Sequence, residues 1–192
     1  SKTVNYSNFT NDSYLVDNLV PGEYTVTESN TALENYEITT TYMVGGESKN
    51  VVSLTNSGAT VAVTNNYNKQ EGSLTITKTW AGENSLLSED QKKAVTFTVT
   101  GPKQKSTDEN TYSATFTYAD MTNGSKTLEH LALGEYTVTE SNASYEGFSV
   151  VTKYKVGETE TSKATVTDGG DVTVDVTNTV TQDVGAVKVR KI

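Results

Sequence analysis

The stretch SLTITKTW, residues 73–80, decides how the fold of this chain is interpreted. Apolar residues alternate with hydroxyl residues along it, and successive side chains of a β-strand point to opposite faces of a sheet. The stretch is therefore predicted to be a strand with a threonine face toward water and an apolar face toward a core. Lys78 lies on the apolar face, between Ile76 and Trp80.

Two later stretches each place another polar side chain on an apolar face. In EYTVTE, residues 135–140, Glu140 shares the face of a tyrosine and a valine. In DVTVDVTNTV, residues 171–180, Asn178 shares the face of four valines. Burying a charged group without a partner is costly, so three such exceptions in one domain suggest a common site. We predict that Lys78 meets the acid and the amide in the core.

Composition narrows the fold class and the possible partners. The 192 residues include 11 tyrosines, many threonines, only two prolines and no cysteine, and 34% of the residues are hydrophobic. Threonine and tyrosine suit strands with one face in water, so we predict an all-β fold of antiparallel sheets. The net charge of -9 argues against nucleic acid and anionic membranes as partners.

The sequence gives little support for an enzyme that turns over a substrate, or for a cofactor or metal. It has one histidine and no cysteine, and its carboxylates lack the clustered spacing of metal ligands. Signal peptide, transmembrane run and C-terminal sorting sequence are all absent from it, so no membrane insertion is predicted for this stretch. Signals for export or anchoring are expected in other regions of the protein.

A long internal repeat organises the chain. LVPGEYTVTESN at residues 19–30 recurs as LALGEYTVTESN at residues 131–142. VAVTNNYNKQEGSLTITK at residues 61–78 matches VDVTNTVTQDVGAVKVRK at residues 174–191. The repeat predicts tandem copies of one domain.

The residues at which each repeat unit begins and ends set the predicted domain boundaries. Residues 72–184 hold one complete unit, which begins with the lysine strand and ends with the asparagine strand. Residues 1–71 hold an incomplete unit that lacks counterparts of the first strands. Residues 185–192 (GAVKVRKI) are predicted to be the first strand of a further repeat.

The incomplete pieces carry parts of the same polar set. Glu28 and Asn65 occupy the repeat positions of the acid and the amide, and Lys191 occupies that of the lysine. All three are therefore candidate partial sites. Two explanations remain open: the tail of one copy adds to the first unit of another copy, or the sequence is a piece of a longer chain.

Turn residues divide the complete unit into short alternating strands, as in β-sandwiches. The strands are predicted near 73–80, 94–101, 111–119, 126–131, 135–141, 147–156, 161–167 and 171–180. One or two helical turns are predicted over SEDQKKA, residues 88–94, where Ser88 can cap the first turn and the acids that follow suit its positive end.

The three inward side chains permit an amide bond between Lys78 and Asn178. The amine must be neutral to attack, and apolar surroundings lower the pKa of a lysine. The carboxamide must be polarised and its departing ammonia protonated, which a carboxylic acid at Glu140 can do. A folded core holds the groups at near-attack distance, so folding itself is predicted to trigger the reaction.

Three short motifs resemble the CnaB-type domains of Gram-positive adhesins and pilins. They are ITKTW at residues 76–80, LALGEYTVTE at residues 131–140 and VTNT at residues 176–179. The resemblance implies an Ig-like β-sandwich in which the first-strand lysine bonds to the last-strand asparagine, with the acid of the second motif as catalyst. It thus assigns Lys78 and Asn178 to the bond and Glu140 to catalysis.

The resemblance covers the complete unit and part of both flanking pieces. One departure is Leu133, which stands where the family motif often has proline, as Pro21 does in the first unit. That position is structural, so the departure leaves the implied chemistry unchanged.

A simpler interpretation of the three polar residues also exists. Lys78 can lie at a sheet margin with its amine in water, Glu140 can be an ordinary acid at a strand end, and Asn178 can be a turn former. The recurrence of Glu28 and Asn65 in register favours a shared site instead.

The resulting functional hypothesis is a structural stalk or spacer of an adhesin or pilin on a bacterial cell surface. The expected location is extracellular, with cell-wall anchoring through other regions, and the expected partners are neighbouring repeats of the same protein and strands exchanged between copies. The only chemistry implied is a single autocatalytic turnover. The alternative is a ligand-binding adhesin module that recognises host protein or glycan through its loops.

Overall fold

A computed structural model describes residues 1–29, 31–105 and 107–191 of the chain. These residues form two compact units. The first unit comprises Ser1–Ala32 and Ile38–Tyr67, and the second comprises Leu33–Glu37 and Asn68–Ile192.

The first unit is built from short strands in two small sheets. The strands are β1 (Gly22–Thr25), β2 (Tyr36–Val44), β3 (Glu47–Ser48), β4 (Val51–Leu54) and β5 (Val61–Lys69). β1 pairs with β4, and the second sheet has the order β3-β2-β5. Among the described residues, β5 is therefore an outer strand of its sheet.

The second unit contains the rest of the strands and a single short α-helix. The elements are β6 (Gly72–Gly82), α1 (Glu89–Lys93), β7 (Thr96–Gly101), β8 (Tyr112–Thr117), β9 (Ser125–Leu131), β10 (Gly134–Ser141), β11 (Phe148–Val156), β12 (Thr159–Glu160), β13 (Lys163–Val166) and β14 (Asp171–Gln182). One sheet has the order β12-β11-β14-β6-β9, and the other has the order β13-β10-β7-β8.

The two sheets of the second unit share one hydrophobic core. Its buried members come from both sheets and include Leu74, Ile76, Phe97, Val99, Tyr136, Val138, Val174 and Val176. Polar residues alternate with these along each strand, because successive side chains of a β-strand point to opposite faces of the sheet. The prediction of an all-β, Ig-like sandwich is confirmed.

The first and last strands of this sandwich run side by side. β14 pairs with β6 in parallel, with Val176 opposite Lys78 and Asn178 opposite Trp80. The sequence predicted antiparallel sheets, and this pair is the exception. A parallel pair requires a long crossover connection, and here nearly the whole domain provides it.

Several strand ends differ from the predicted ones for local reasons. β7 begins two residues late because Ala94 closes α1, its N–H bonding to the carbonyl of Asp90 at 3.2 Å. β8 ends early because Asp120 accepts hydrogen bonds from Thr117 and caps a 3-10 turn. The helical turns predicted after Ser88 are present, and Ser88 accepts a hydrogen bond from the Gln91 N–H.

A buried tyrosine joins β10 to the preceding turn. The Tyr136 hydroxyl donates to the Ala132 carbonyl at 2.9 Å, and Gln104 Nε2 donates to that hydroxyl at 2.9 Å. Gly101 lies against the Tyr136 ring, where a Cβ atom would collide with the ring carbons. The same bond recurs in the first unit, from the hydroxyl of Tyr24 to the carbonyl of Val20.

The first unit keeps the backbone features of the repeat but exposes its apolar residues. Asn11 has a positive φ that matches that of Asn123 one repeat later. Only Val52 is buried among the described residues of the first unit, whereas Leu15 and Val20 are 81% and 73% exposed. The apolar faces predicted from the sequence therefore lack covering strands in this unit.

The C-terminal tail forms no strand over its described residues, 183–191, and Ile192 lies outside the described residues. Val187 and Val189, which the alternation assigns to a core-facing side, are 91% and 88% exposed. A β-strand needs a neighbouring strand to satisfy its backbone hydrogen bonds. An unpaired tail is therefore not stabilised in the strand conformation. That the tail opens a further repeat stays a prediction.

Candidate functional site

The three polar residues singled out by the pattern meet inside the second unit. β6 supplies Lys78, β14 supplies Asn178, and β10 of the opposite sheet supplies Glu140. The side chains of Lys78 and Glu140 are 0% and 1% exposed, and Asn178 is 0% exposed. The sandwich thus places the acid across the core from the lysine and the amide.

The carboxyl group of Glu140 contacts both other residues. Its Oε2 lies 2.8 Å from Lys78 Nζ, and its Oε1 accepts a hydrogen bond from Asn178 Nδ2 at 2.5 Å. The angles at the lysine contact are not those of a hydrogen bond, so this contact is a close ion pair. One carboxyl therefore bridges the amine and the amide.

Burial changes the protonation of the lysine. Burial away from solvent lowers the pKa of Lys78 to about 8, even though the adjacent Glu140 carboxyl acts in the opposite direction. The amine also lies 4.8 Å from the ring centroid of Trp80, which packs edge-on against Tyr118. Because this pKa lies below the ordinary value of 10.5, the neutral amine is a larger fraction of the population than it is for an exposed lysine.

This geometry is incompatible with the simpler interpretation of the three residues. Lys78 does not reach water at a sheet margin, because its side chain is fully buried. Asn178 lies inside β14 and not in a turn. Glu140 is enclosed by the core and does not behave as an exposed acid at a strand end.

Two further residues around the carboxyl were not singled out from the sequence. Thr152 on β11 stands opposite Asn178, and its hydroxyl donates to Glu140 Oε1 at 3.4 Å. The Tyr154 hydroxyl accepts the backbone N–H of Glu140 at 2.8 Å, and burial raises the pKa of that tyrosine. The sequence does contain an indication that these two positions belong to the site, because threonine and tyrosine recur at the same repeat positions in the first unit, at residues 40 and 42.

The first unit repeats the contacts of the acid with the amide and with the tyrosine, without a lysine, and differs in the acceptor of its threonine. Asn65 Nδ2 donates to Glu28 Oε1 at 3.0 Å, and the Tyr42 hydroxyl accepts the Glu28 backbone N–H at 2.8 Å. The Thr40 hydroxyl donates to Asn65 Oδ1 at 2.7 Å. Lys191 lies in the exposed tail, and none of the ion pairs found in the described part of the chain includes it.

Two other kinds of site were sought in the described residues. No group of three or more histidine, cysteine, aspartate or glutamate side chains there is arranged to hold a metal ion. No helix in the same residues has the length and apolar character needed to span a membrane.

A protein-family model matches residues 74–181 of the chain, and its description is a domain of unknown function (DUF5979). The chain belongs to this family. The matched range contains the lysine, the acid and the amide, so the buried cluster lies within the DUF5979 domain. No curated protein matches the chain.

Solved structures with a similar fold include pilins and adhesins. The major pilin protein T-13 of Streptococcus pyogenes is 17% identical over 88% of this chain and 70% of that chain, with a TM-score of 0.42. Another major pilin structure from Streptococcus pyogenes is 16% identical over 83% of this chain and 70% of that chain, with a TM-score of 0.47. An adhesin of Mobiluncus mulieris that contains intramolecular disulfide, isopeptide and ester bond cross-links is 20% identical over 77% of this chain and 55% of that chain, with a TM-score of 0.43.

Proposed function

We propose that the DUF5979 domain cross-links itself through an amide bond between Lys78 and Asn178 and serves as a stalk module of a bacterial surface adhesin or pilin. One observation carries the proposal: a single buried carboxyl, that of Glu140, lies 2.8 Å from the lysine amine and 2.5 Å from the asparagine amide nitrogen. A carboxyl with contacts to both the nucleophile and the leaving group can move protons between them.

Burial lowers the pKa of Lys78 to about 8, so its ammonium can lose a proton to the solvent, and the reaction begins from the neutral amine. Nζ then attacks Cγ of Asn178, and the negative charge collects on Oδ1. Glu140 takes a proton from the attacking nitrogen and gives one to Nδ2, and the Cγ–Nδ2 bond breaks. The products are one amide bond and one ammonia, and Glu140 ends as it began, so the domain performs one turnover only.

The position of the bond suits a module that carries tension. β6 begins the domain, β14 ends it, and the two strands are neighbours. A bond between Lys78 and Asn178 would pass a pulling force directly from one strand to the other. The residues enclosed between them would be spared that force.

The bond would also stabilise the domain against unfolding. By analogy with a disulfide that closes a loop of about 100 residues, it would remove unfolded-state entropy equivalent to roughly 4 to 5 kcal/mol. That is a large share of the stability of an ordinary domain. An amide cannot be reduced, so the link would persist outside the cell, where we place this protein as part of a wall-anchored assembly of neighbouring repeats.

The deciding experiment combines intact mass with peptide mapping of the folded, purified protein. The expected result is a mass one ammonia below that of the sequence, and a branched peptide that joins Lys78 to Asn178. A full sequence mass in folded protein would contradict the proposal. Cross-linked protein in which another lysine or asparagine forms the branch would contradict the assignment of the residues.

We further propose that the first unit accepts a lysine-bearing strand beside β5. Glu28 and Asn65 are already paired at 3.0 Å, and β5 is an outer strand among the described residues. In the second unit the equivalent strand, β14, has β6 beside it, with the lysine two residues out of register with the asparagine. Residues 185–191 carry the same alternating pattern with Lys191 at the lysine position, so the tail of a second copy can supply such a strand.

A further inference from the structure

The carbonyl oxygen of the reacting amide lacks a hydrogen bond in the second unit. Asn178 Oδ1 is buried and has no hydrogen-bond partner among the described residues, while the nitrogen of the same amide donates to Glu140. In the proposed cross-linking, on which this inference rests, negative charge develops on this oxygen as the amine attacks. An unpaired buried oxygen at that position leaves the charge without a donor.

The two units show two positions of one threonine hydroxyl. In the first unit, Thr40 Oγ1 donates to Asn65 Oδ1 at 2.7 Å. In the second unit, Thr152 Oγ1 donates to Glu140 Oε1 at 3.4 Å, which is at the long limit for a hydrogen bond. Thr40 and Thr152 occupy the same position in the repeat, so equivalent hydroxyls have different acceptors in the two units.

Thr152 is within reach of the amide oxygen. It is paired directly opposite Asn178 between β11 and β14, and side chains at such cross-strand positions have Cβ atoms about 5 Å apart. Threonine populates more than one χ1 rotamer, and a change of rotamer redirects its hydroxyl without backbone movement. The long bond to Glu140 costs little to break.

We propose that the Thr152 hydroxyl donates a hydrogen bond to Asn178 Oδ1 as Lys78 attacks, and that it stabilises the oxyanion of the tetrahedral intermediate. The hydroxyl keeps its own proton throughout, and Glu140 carries out the proton transfers between amine and amide. In the first unit the equivalent bond, from Thr40 to Asn65 Oδ1, is made while the amide nitrogen faces Glu28, which is the orientation that lets ammonia leave.

Trp80 is the competing donor. It stands opposite Asn178 on the other side, between β6 and β14, and its Nε1 is buried without a partner among the described residues. Thr152 is favoured over Trp80 as the donor to Asn178 Oδ1, because in the first unit the equivalent threonine, Thr40, donates to the amide oxygen of Asn65. A comparison of the two donors therefore belongs in the test.

The test measures the rate of ammonia loss after cell-free synthesis, with samples quenched in acid and analysed by intact mass. Thr152→Val keeps the branched shape and removes the hydroxyl, and it should slow the reaction by about 10²-fold, as removal of one oxyanion donor does. Thr152→Ser should retain most of the parent rate. The control Thr179→Val makes the same change on the outer face of β14 and should leave the rate unchanged.

Two further readouts separate this role from a structural one. Thr152→Val should lower the rate at every pH without moving the midpoint of the pH profile, because the burial of Lys78 is retained. In an uncrosslinked Lys78→Ala background, it should leave the melting temperature close to that of its parent. If Thr152→Val does not fold, Thr152→Ala gives the same measurement.

The outcomes distinguish this inference from the proposed function. A parent protein that folds and never loses ammonia would refute the cross-link and the threonine role together. A parent that reacts while Thr152→Val reacts equally fast would refute the threonine role and leave the cross-link standing. Slowing by Trp80→Phe but not by Thr152→Val would transfer the role to Trp80.

Discussion

Lys78 and Asn178 lie on neighbouring parallel strands and point into the same core, with their positions offset by two residues. Val176 is opposite Lys78, and Trp80 is opposite Asn178. The carboxyl of Glu140 from the opposite sheet contacts both groups.

The first prediction concerns the role of the acid in the reaction. Glu140→Ala should leave the domain folded but abolish or greatly slow the loss of ammonia, because the group that moves protons between amine and amide is gone. Intact mass of the folded variant measures this. Glu135→Ala is the control, since Glu135 lies on the same strand with its side chain outward, paired with Lys163 at 2.7 Å. Ammonia loss from Glu140→Ala at the parent rate would remove Glu140 from the mechanism.

The second prediction concerns stability. Lys78→Ala removes the cross-link and should lower the free energy of unfolding by roughly 4 to 5 kcal/mol, the contribution expected from closing so long a loop. The melting temperature and protease resistance of the variant should fall accordingly. Lys153→Ala serves as control, because Lys153 is 58% exposed and its pair with Glu160 is a surface ion pair of small effect. Equal melting temperatures for Lys78→Ala and the parent would argue that the cross-link does not form or does not stabilise the domain.

The third prediction concerns pH and the neutral amine. Burial lowers the pKa of Lys78 to about 8, so the fraction of attacking amine grows with pH up to that value. The rate of ammonia loss should rise with pH and flatten above about 8. A rate that does not vary across this range would show that deprotonation of Lys78 does not limit the reaction.

The same pKa predicts the pH dependence of stability in a variant that cannot cross-link, Asn178→Ala. Between about 8 and the ordinary value of 10.5, the unfolded lysine binds a proton that the folded one lacks. Stability therefore rises with pH across this window and is lower below it. Denaturant unfolding at a series of pH values measures the slope, and a slope of opposite sign would contradict the burial of an uncharged lysine.

Much of the fold follows from the alternation of apolar and polar residues along the strands. The alternation in β6, β10 and β14 identifies which side chains face the core, and that includes Lys78, Glu140 and Asn178. These three depart from the pattern of apolar residues, so they could be recognised without a structure. The repeat strengthened the inference because it reproduces the acid and the amide.

The remaining features depend on which strands are neighbours, which alternation does not reveal. Thr152 is a candidate donor because β11 places it opposite Asn178, yet its sequence context resembles that of many outward-facing threonines in this chain. The parallel pairing of β6 with β14 is likewise a long-range property. The unpaired state of the tail has the same origin, since its pattern is that of a strand but none of the described strands pairs with residues 183–191.

The last prediction concerns strand addition to the first unit. If Lys191 of one copy docks beside β5 of another and bonds to Asn65, concentrated protein should give a ladder of covalent oligomers on a denaturing gel. Lys191→Ala and Asn65→Ala should each abolish the ladder. Lys188→Ala should keep it, because Lys188 lies in the same tail on the opposite side of the alternating pattern. The exposed valines of the tail, 91% and 88% at Val187 and Val189, provide the apolar surface that strand addition would bury. A single monomer band for all of these proteins would show that the first unit does not capture the tail.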